Sequence, residues 1–187
     1  MDNNKNYTVS ETKDVETFFD GYAADFDSIY GHTKKRSTWD KFLDKYFRRS
    51  MRLRYNLVLK YLANTNIETI LDVGCGGGVY CEAFLNMGKT VTGLDIADGM
   101  LKLAEQKTKR FMEEDKVNYI HSGYIEHAFN EKFDTAVLVG FFDYIKSPVE
   151  IFEKLNKEVN KELLMSFPKS GGFLDAISFF NTHACQS

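Results

Sequence analysis

The sequence predicts an α/β protein: a doubly wound, mainly parallel sheet with helices ahead of it. Three observations carry that reading. From residue 67 onward, short apolar runs alternate with longer segments of helical periodicity, as strands joined by crossover helices do. The first run, Ile70-Leu71-Asp72-Val73, breaks into four glycines within five residues, Gly74, Gly76, Gly77 and Gly78. Glycine reaches positive φ without steric cost, so this is a tight strand-to-helix turn that a ligand can approach closely. Strand, loop, helix and next strand together fill about 30 residues, the span of one βαβ unit.

Taken in order, residues 1–10 are polar and predicted to lack regular structure, and 12–64 read as helical. Phe18, Phe19, Tyr22, Phe26, Ile29 and Tyr30 recur at spacings near three and four, as on one buried helix face. Leu53, Leu57, Tyr61 and Leu62 repeat the pattern. Residues 1–64 are expected to form a helical cap or lid within the same domain as a core at 65–187. Strands are predicted at 68–73, 90–95, 117–121, 133–139 and 162–167, and helices at 79–87, 98–112, 147–159 and 172–180. Only Pro148 and Pro168 punctuate the chain, and neither a repeat nor an interdomain linker is visible.

Composition bounds the function. A chain of 187 residues can bury a real core as one domain. Charged residues at 27% and hydrophobic residues at 43% are ordinary for a globular protein, and a net charge of −3 gives no overall pull toward nucleic acid. Cys75, Cys81 and Cys185 form no CxxC pair, which argues against a disulfide framework or structural zinc and for a reducing compartment. The polar start, Met1-Asp2-Asn3-Asn4, is no signal peptide. No apolar run approaches the roughly 20 residues of a membrane span. The expected location is cytoplasmic, and no metal site is expected.

Three features carry chemistry. The glycine loop is the first. The second is Asp95, which ends Val91-Thr92-Gly93-Leu94-Asp95, 21 residues beyond Gly74; a carboxylate there can accept from both hydroxyls of a ribose. The third is the loop Ser122-Gly123-Tyr124-Ile125-Glu126, which faces the same crevice at the carboxyl ends of the strands. The glycine spacing is GxGxG with Val79 in the sixth position, not the dinucleotide fingerprint GxGxxG. Asp72 stands two residues before the first glycine, where it would repel a pyrophosphate and attract an ammonium group.

On these residues the chain resembles the class I S-adenosylmethionine-dependent methyltransferases. Leu71-Asp72-Val73-Gly74-Cys75-Gly76-Gly77-Gly78 is similar to their first motif, Gly93-Leu94-Asp95-Ile96-Ala97-Asp98-Gly99-Met100-Leu101 to their second, and Phe133-Asp134-Thr135-Ala136-Val137-Leu138-Val139-Gly140 to their fourth strand. The similarity runs over about residues 15–170. Arg48-Arg49-Ser50-Met51-Arg52-Leu53-Arg54-Tyr55 and Phe142-Asp143-Tyr144 look most like small-molecule O-methyltransferases of the magnesium-protoporphyrin type. The resemblance implies a Rossmann-like methyltransferase fold that binds S-adenosylmethionine and releases S-adenosylhomocysteine. It places Gly74, Gly76 and the backbone near Cys75 at the methionine part, Gly78 among the cofactor-binding residues, Asp72 near the amino group and Asp95 on the ribose. Ile96 and Met100 would enclose the adenine, the backbone of Tyr124 and Ile125 would meet its edge, and Gly140 would border the sulfonium.

The sequence departs from that pattern in three places. Tyr124 stands where many relatives carry an acid for the adenine amino group; Glu126 or the backbone would have to serve. Phe26 stands where many carry a tyrosine, leaving Tyr22 or Tyr30 to replace its hydroxyl. The fold usually ends in two more strands, but 20 residues follow Phe167, and 172–180 reads as a helix, so the C-terminal strands are expected to be missing. The exposed edge would invite pairing with a second copy.

For catalysis, Asp143 and Tyr144 follow the fourth strand, with Asp143 the preferred base over His32, His121 and His127. Phe141, Phe142, Tyr144, Tyr22 and Tyr30 could face a sulfonium, against the plainer role of core packing. The predicted activity is methyl transfer to an oxygen, or a nitrogen, of a small molecule. Two alternatives stand beside it. Residues 33–60 hold ten basic side chains against Asp40 and Asp44, which allows an RNA methyltransferase. A truncated cofactor-binding module without turnover is the other.

Overall fold

The structure is a computed structural model and describes Thr17, residues 51–142, 145 and 148–167, and the backbone of 176–181. Its first continuous element is a helix, α1, over 51–62. There follow β1 (Thr69–Val73), α2 (Val79–Asn86), β2 (Thr90–Asp95), α3 (Asp98–Met112), β3 (Val117–His121), β4 (Phe133–Leu138), α4 (Val149–Glu158), β5 (Val159–Phe167) and β6 (Ala176–Asn181). The strands form one sheet in the order β3-β2-β1-β4-β5-β6. The first five are parallel, as the alternation of apolar runs and helical segments predicts, and β6 runs antiparallel to β5.

The strands are apolar on both faces because both are covered. Side chains alternate across the sheet, so Ile70, Val137 and Leu164 join Val58 and Leu62 of α1, Phe84 of α2 and Leu101 of α3 in one core. Leu71, Val73, Ala136, Leu138, Leu163 and Met165 face the other way, against Ile151 and Leu155 of α4. Winding thus reverses between β1 and β4, and open sheets bind ligands at such a switch point.

Three expectations need correction. The helix predicted over 172–180 does not form: Ala176–Asn181 is a strand whose Phe180 and Phe179 pair with Leu163 and Leu164. One of the terminal strands expected to be missing is therefore present, and the pairing edge expected at β5 passes to β6. β5 also begins three residues early, at Val159, directly from the end of α4; a register shift between Phe133 and Thr135 takes up one extra residue of β5. Finally, the buried stripe of α1 is Arg54, Val58 and Leu62, while Leu53 and Leu57 are exposed. The predicted series from Phe18 to Tyr30 lies outside the described residues.

Candidate functional site

The carboxyl ends of β1, β2 and β3 are stitched together by backbone and carboxylate hydrogen bonds. After β1 the chain turns through Gly74 at φ 72°, Gly76 at φ 50° and Gly78 at φ 72°, a left-handed alternation that side-chain-bearing residues resist. The N–H groups of Gly74 and Cys75 donate to the carbonyl of Leu94 at 2.8 and 3.1 Å. The N–H of Gly76 donates to Asp95 Oδ2 at 2.7 Å, and that of Ala97 to Asp95 Oδ1 at 2.9 Å. The next loop joins through Ser122 N–H to the Asp95 carbonyl at 3.1 Å and His121 Nε2 to the Ile96 carbonyl at 2.8 Å.

The packing under the loop is tight. A Cβ on Gly78 would lie 2.7 Å from Ala104 Cβ and 2.9 Å from its Cα, and one on Gly74 would lie 3.0 Å from Phe141 Cδ2. Lys107 of α3 donates to the Gly77 carbonyl at 2.9 Å. On the β4 side, Gly140, at φ 79°, donates its N–H to the buried Ser166 Oγ at 2.8 Å.

Both carboxylates are withdrawn from water. Asp95 is 9% exposed, and burial holds its acidity below that of an ordinary carboxyl although the N–H groups of Ala97 and Gly76 oppose the shift. Asp72 is 3% exposed and points toward α2, where the Cys81 thiol donates to its Oδ2 at 3.2 Å. Burial pushes its pKa up to about 7; the thiol opposes this and the charge of Asp95 adds to it. Among the described residues the one hydrogen bond to the Asp72 side chain comes from a weak thiol donor, and a buried carboxylate so served is poised for a cation.

The predicted residues fall into groups. Asp72, Gly74, Cys75, Gly76, Gly78 and Asp95 meet at one end of β1 and β2. Tyr124 and Ile125 lie in the turn after β3, and Gly140 at the end of β4. Ile96 is half-buried, whereas Met100 is 2% exposed, so Ile96 alone of that pair presents accessible surface. Phe142 stacks between Phe152 and Phe167, with centroids at 5.6 and 4.8 Å, which makes it a core aromatic. Asp143 and Tyr144 lie outside the described residues, as do Tyr22, Phe26, Tyr30 and His32. Sequence reasoning missed Cys81, Lys107 and Ser166, whose roles arise from contacts across elements and leave no local signal. Among the described residues, no group of three or more His, Cys, Asp or Glu is placed to hold a metal, and no helix is long and apolar enough to cross a membrane.

Known proteins are similar in sequence and in fold. Residues 71–162 match the family described as a methyltransferase domain. A ubiquinone biosynthesis O-methyltransferase from Hydrogenovibrio crunogenus is 31% identical over 132 residues, 70% of this chain and 48% of that protein. A tRNA U34 carboxymethyltransferase from Actinobacillus succinogenes is 31% identical over 58% of this chain and 34% of its own length. The chain spans about half the length of the first curated relatives it matches. Among solved structures, magnesium protoporphyrin IX methyltransferase from Synechocystis PCC 6803 with bound SAM shares the fold at a TM-score of 0.73 and 19% identity, over 90% of this chain and 81% of that one. The N-methyltransferase NodS from Bradyrhizobium japonicum, solved with S-adenosyl-L-homocysteine, does so at 0.55 and 20%, over 62% and 60%. With the glycine loop on β1, the acid on β2 and the sheet order as described, the chain carries a methyltransferase domain over residues 71–162, from β1 into β5.

Proposed function

We propose that the chain binds S-adenosylmethionine at the carboxyl edge of β1, β2 and β3 and transfers its methyl group to an oxygen, or a nitrogen, of a small molecule. The observation that carries this reading is the Asp95 carboxylate, held by the N–H groups of Gly76 and Ala97 beside the glycine turn. Both of its oxygens accept backbone bonds, and a carboxylate offers about four lone-pair sites, enough to accept from a ribose hydroxyl as well. The residues present fit the cofactor. The left-handed glycines leave no side chain in the cradle, and the buried Asp72 suits an ammonium group.

Bound there, S-adenosylmethionine would supply a methyl group on a positively charged sulfur, already a strong electrophile. The chain's task is to hold, orient and exclude water, and alignment of this kind supplies roughly 7–11 kcal/mol of a barrier. Gly74, Gly76, Gly78 and the Cys75 backbone would carry the methionine half, with Gly140 at its far end. Ile96 and Met100 would flank the base, Met100 only after some opening of its buried site. The turn at Tyr124 and Ile125 would meet the base edge. Asp143 is assigned as the base that takes the acceptor's proton, with Tyr144 beside it, and residues 1–64 as the lid over the acceptor. The names of the O-methyltransferase relatives support a small-molecule acceptor.

Calorimetric titration with S-adenosylhomocysteine tests the first step. The wild type should bind, and Asp95→Ala should weaken binding about 10- to 100-fold, the loss of hydrogen bonds to a charged acceptor. Folded wild-type protein that gives no heat of binding would sink the cofactor reading. The carboxymethyltransferase relative favours RNA as the second reading. Steeply salt-dependent RNA binding, abolished by charge reversal at Arg48 and Arg49, would move the acceptor to RNA.

A further inference from the structure

The turn after β3 is fastened from behind. Tyr124 is 3% exposed, and its hydroxyl donates to Glu158 Oε2 at 2.8 Å. Lys154, one turn earlier on α4, donates to the other oxygen of Glu158 and, at 2.6 Å, to the carbonyl of His127. The same ammonium lies 5.1 Å from the Tyr124 ring centroid. The turn is also closed on itself by His127 N–H to the Gly123 carbonyl at 3.2 Å and tied to β2 at its start by Ser122 N–H to the Asp95 carbonyl. One ion pair on α4 therefore grips both the first side chain of the turn and its last carbonyl.

A half-buried lysine–glutamate pair is a poor source of net stability, because desolvation offsets the attraction. Its geometry here serves placement instead. With the tyrosine drawn into the core, Ile125 is left 42% exposed on the turn that would meet the ligand. Recognition by hydrogen bonds discriminates strongly only when the partners are held in place; a displacement of about 1 Å can be costly.

We propose that Tyr124, Glu158 and Lys154 are positioning residues that fix the turn against the purine edge of the cofactor and so set its preference for adenine. This rests on the S-adenosylmethionine reading above. The probes are S-adenosylhomocysteine and S-inosylhomocysteine, which differ at the purine edge: the 6-amino donor becomes a carbonyl acceptor, and N1 changes from an acceptor to an N–H donor. Both are titrated into the wild type, Tyr124→Phe, Lys154→Met and Lys154→Arg. The wild type should prefer the adenine compound. Tyr124→Phe and Lys154→Met should lower that preference about tenfold, the scale of one hydrogen bond to a charged group, whereas Lys154→Arg should keep it because a guanidinium retains both donors. Should Tyr124→Phe fail to fold, Lys154→Met carries the same test at a partly exposed side chain. Intact binding with an unchanged preference in these variants overturns the proposal alone, whatever happens to overall affinity. A wild type that binds neither compound overturns the cofactor reading and this proposal together.

Discussion

Gly78 and Gly76 adopt similar left-handed conformations in very different surroundings. At Gly78 an added methyl meets Ala104 at 2.7 and 2.9 Å, one contact being backbone, whereas at Gly76 nothing among the described residues lies within 4 Å. Both substitutions incur left-handed strain of about 1–2 kcal/mol, but only Gly78→Ala also pushes α3 away, for roughly 1–3 kcal/mol more. In urea denaturation Gly78→Ala should therefore be the more destabilising by at least about 1 kcal/mol. Equal losses would mean that α3 yields freely and that the close packing of loop and helix is not a constraint. At this scale the sequence was most legible. Three glycines, Asp72 and Asp95 announce a turn and two carboxylates because backbone sterics and charge are local properties. Cys81 under Asp72 and Ser166 under Gly140 could not be read, since each contact joins residues that only folding brings together.

At the scale of elements, periodicity gave the helices and strands of the α/β core but not which face of α1 is buried. The predicted series Leu53, Leu57, Tyr61 and Leu62 mixes two stripes one residue apart, one of Leu53, Leu57 and Tyr61 and one of Arg54, Val58 and Leu62, and apolar count favours the first. The sheet takes the second, with Arg54 drawn in; a long side chain can bury its stem despite its charge. β6 escaped for a related reason. Ala176-Ile177-Ser178-Phe179-Phe180 fits a helix or a strand equally on its own, and the decision falls to the open edge of β5, whose backbone groups need partners. The two faces of α1 make a direct contrast. Leu62 is fully buried with Phe84 and Ile70, while Leu57 is 49% exposed. Leu62→Ala should cost roughly 2–5 kcal/mol, and Leu57→Ala at most about 0.5 kcal/mol, both read from urea midpoints. A large loss at Leu57 would show that a further part of the protein covers that face.

For the whole molecule, the proton on Asp72 links folding, pH and the proposed ligand. In the unfolded chain its carboxyl ionises near the ordinary value of 3.8, while in the folded protein burial holds the proton until about pH 7. Below pH 4 both forms are protonated, and the group favours neither. Between about pH 4 and 7 the unfolded chain loses a proton that the native state keeps, so this group makes the protein less stable as pH rises, and above pH 7 its effect is level. The total change is at most roughly 4 kcal/mol. Asp72→Asn removes it, so the stability of the wild type minus that of the variant should fall across this window and then flatten. A ligand that brings an ammonium group to Asp72 reverses the balance by favouring the ionised form. Binding of S-adenosylhomocysteine below pH 7 should then release a proton, seen as a dependence of the calorimetric heat on the buffer's ionisation enthalpy. Affinity should rise by up to about tenfold per pH unit toward neutrality, and Asp72→Asn should lose both effects. Tight, pH-independent binding by the wild type would place the ammonium away from Asp72 while leaving the ribose role of Asp95 standing.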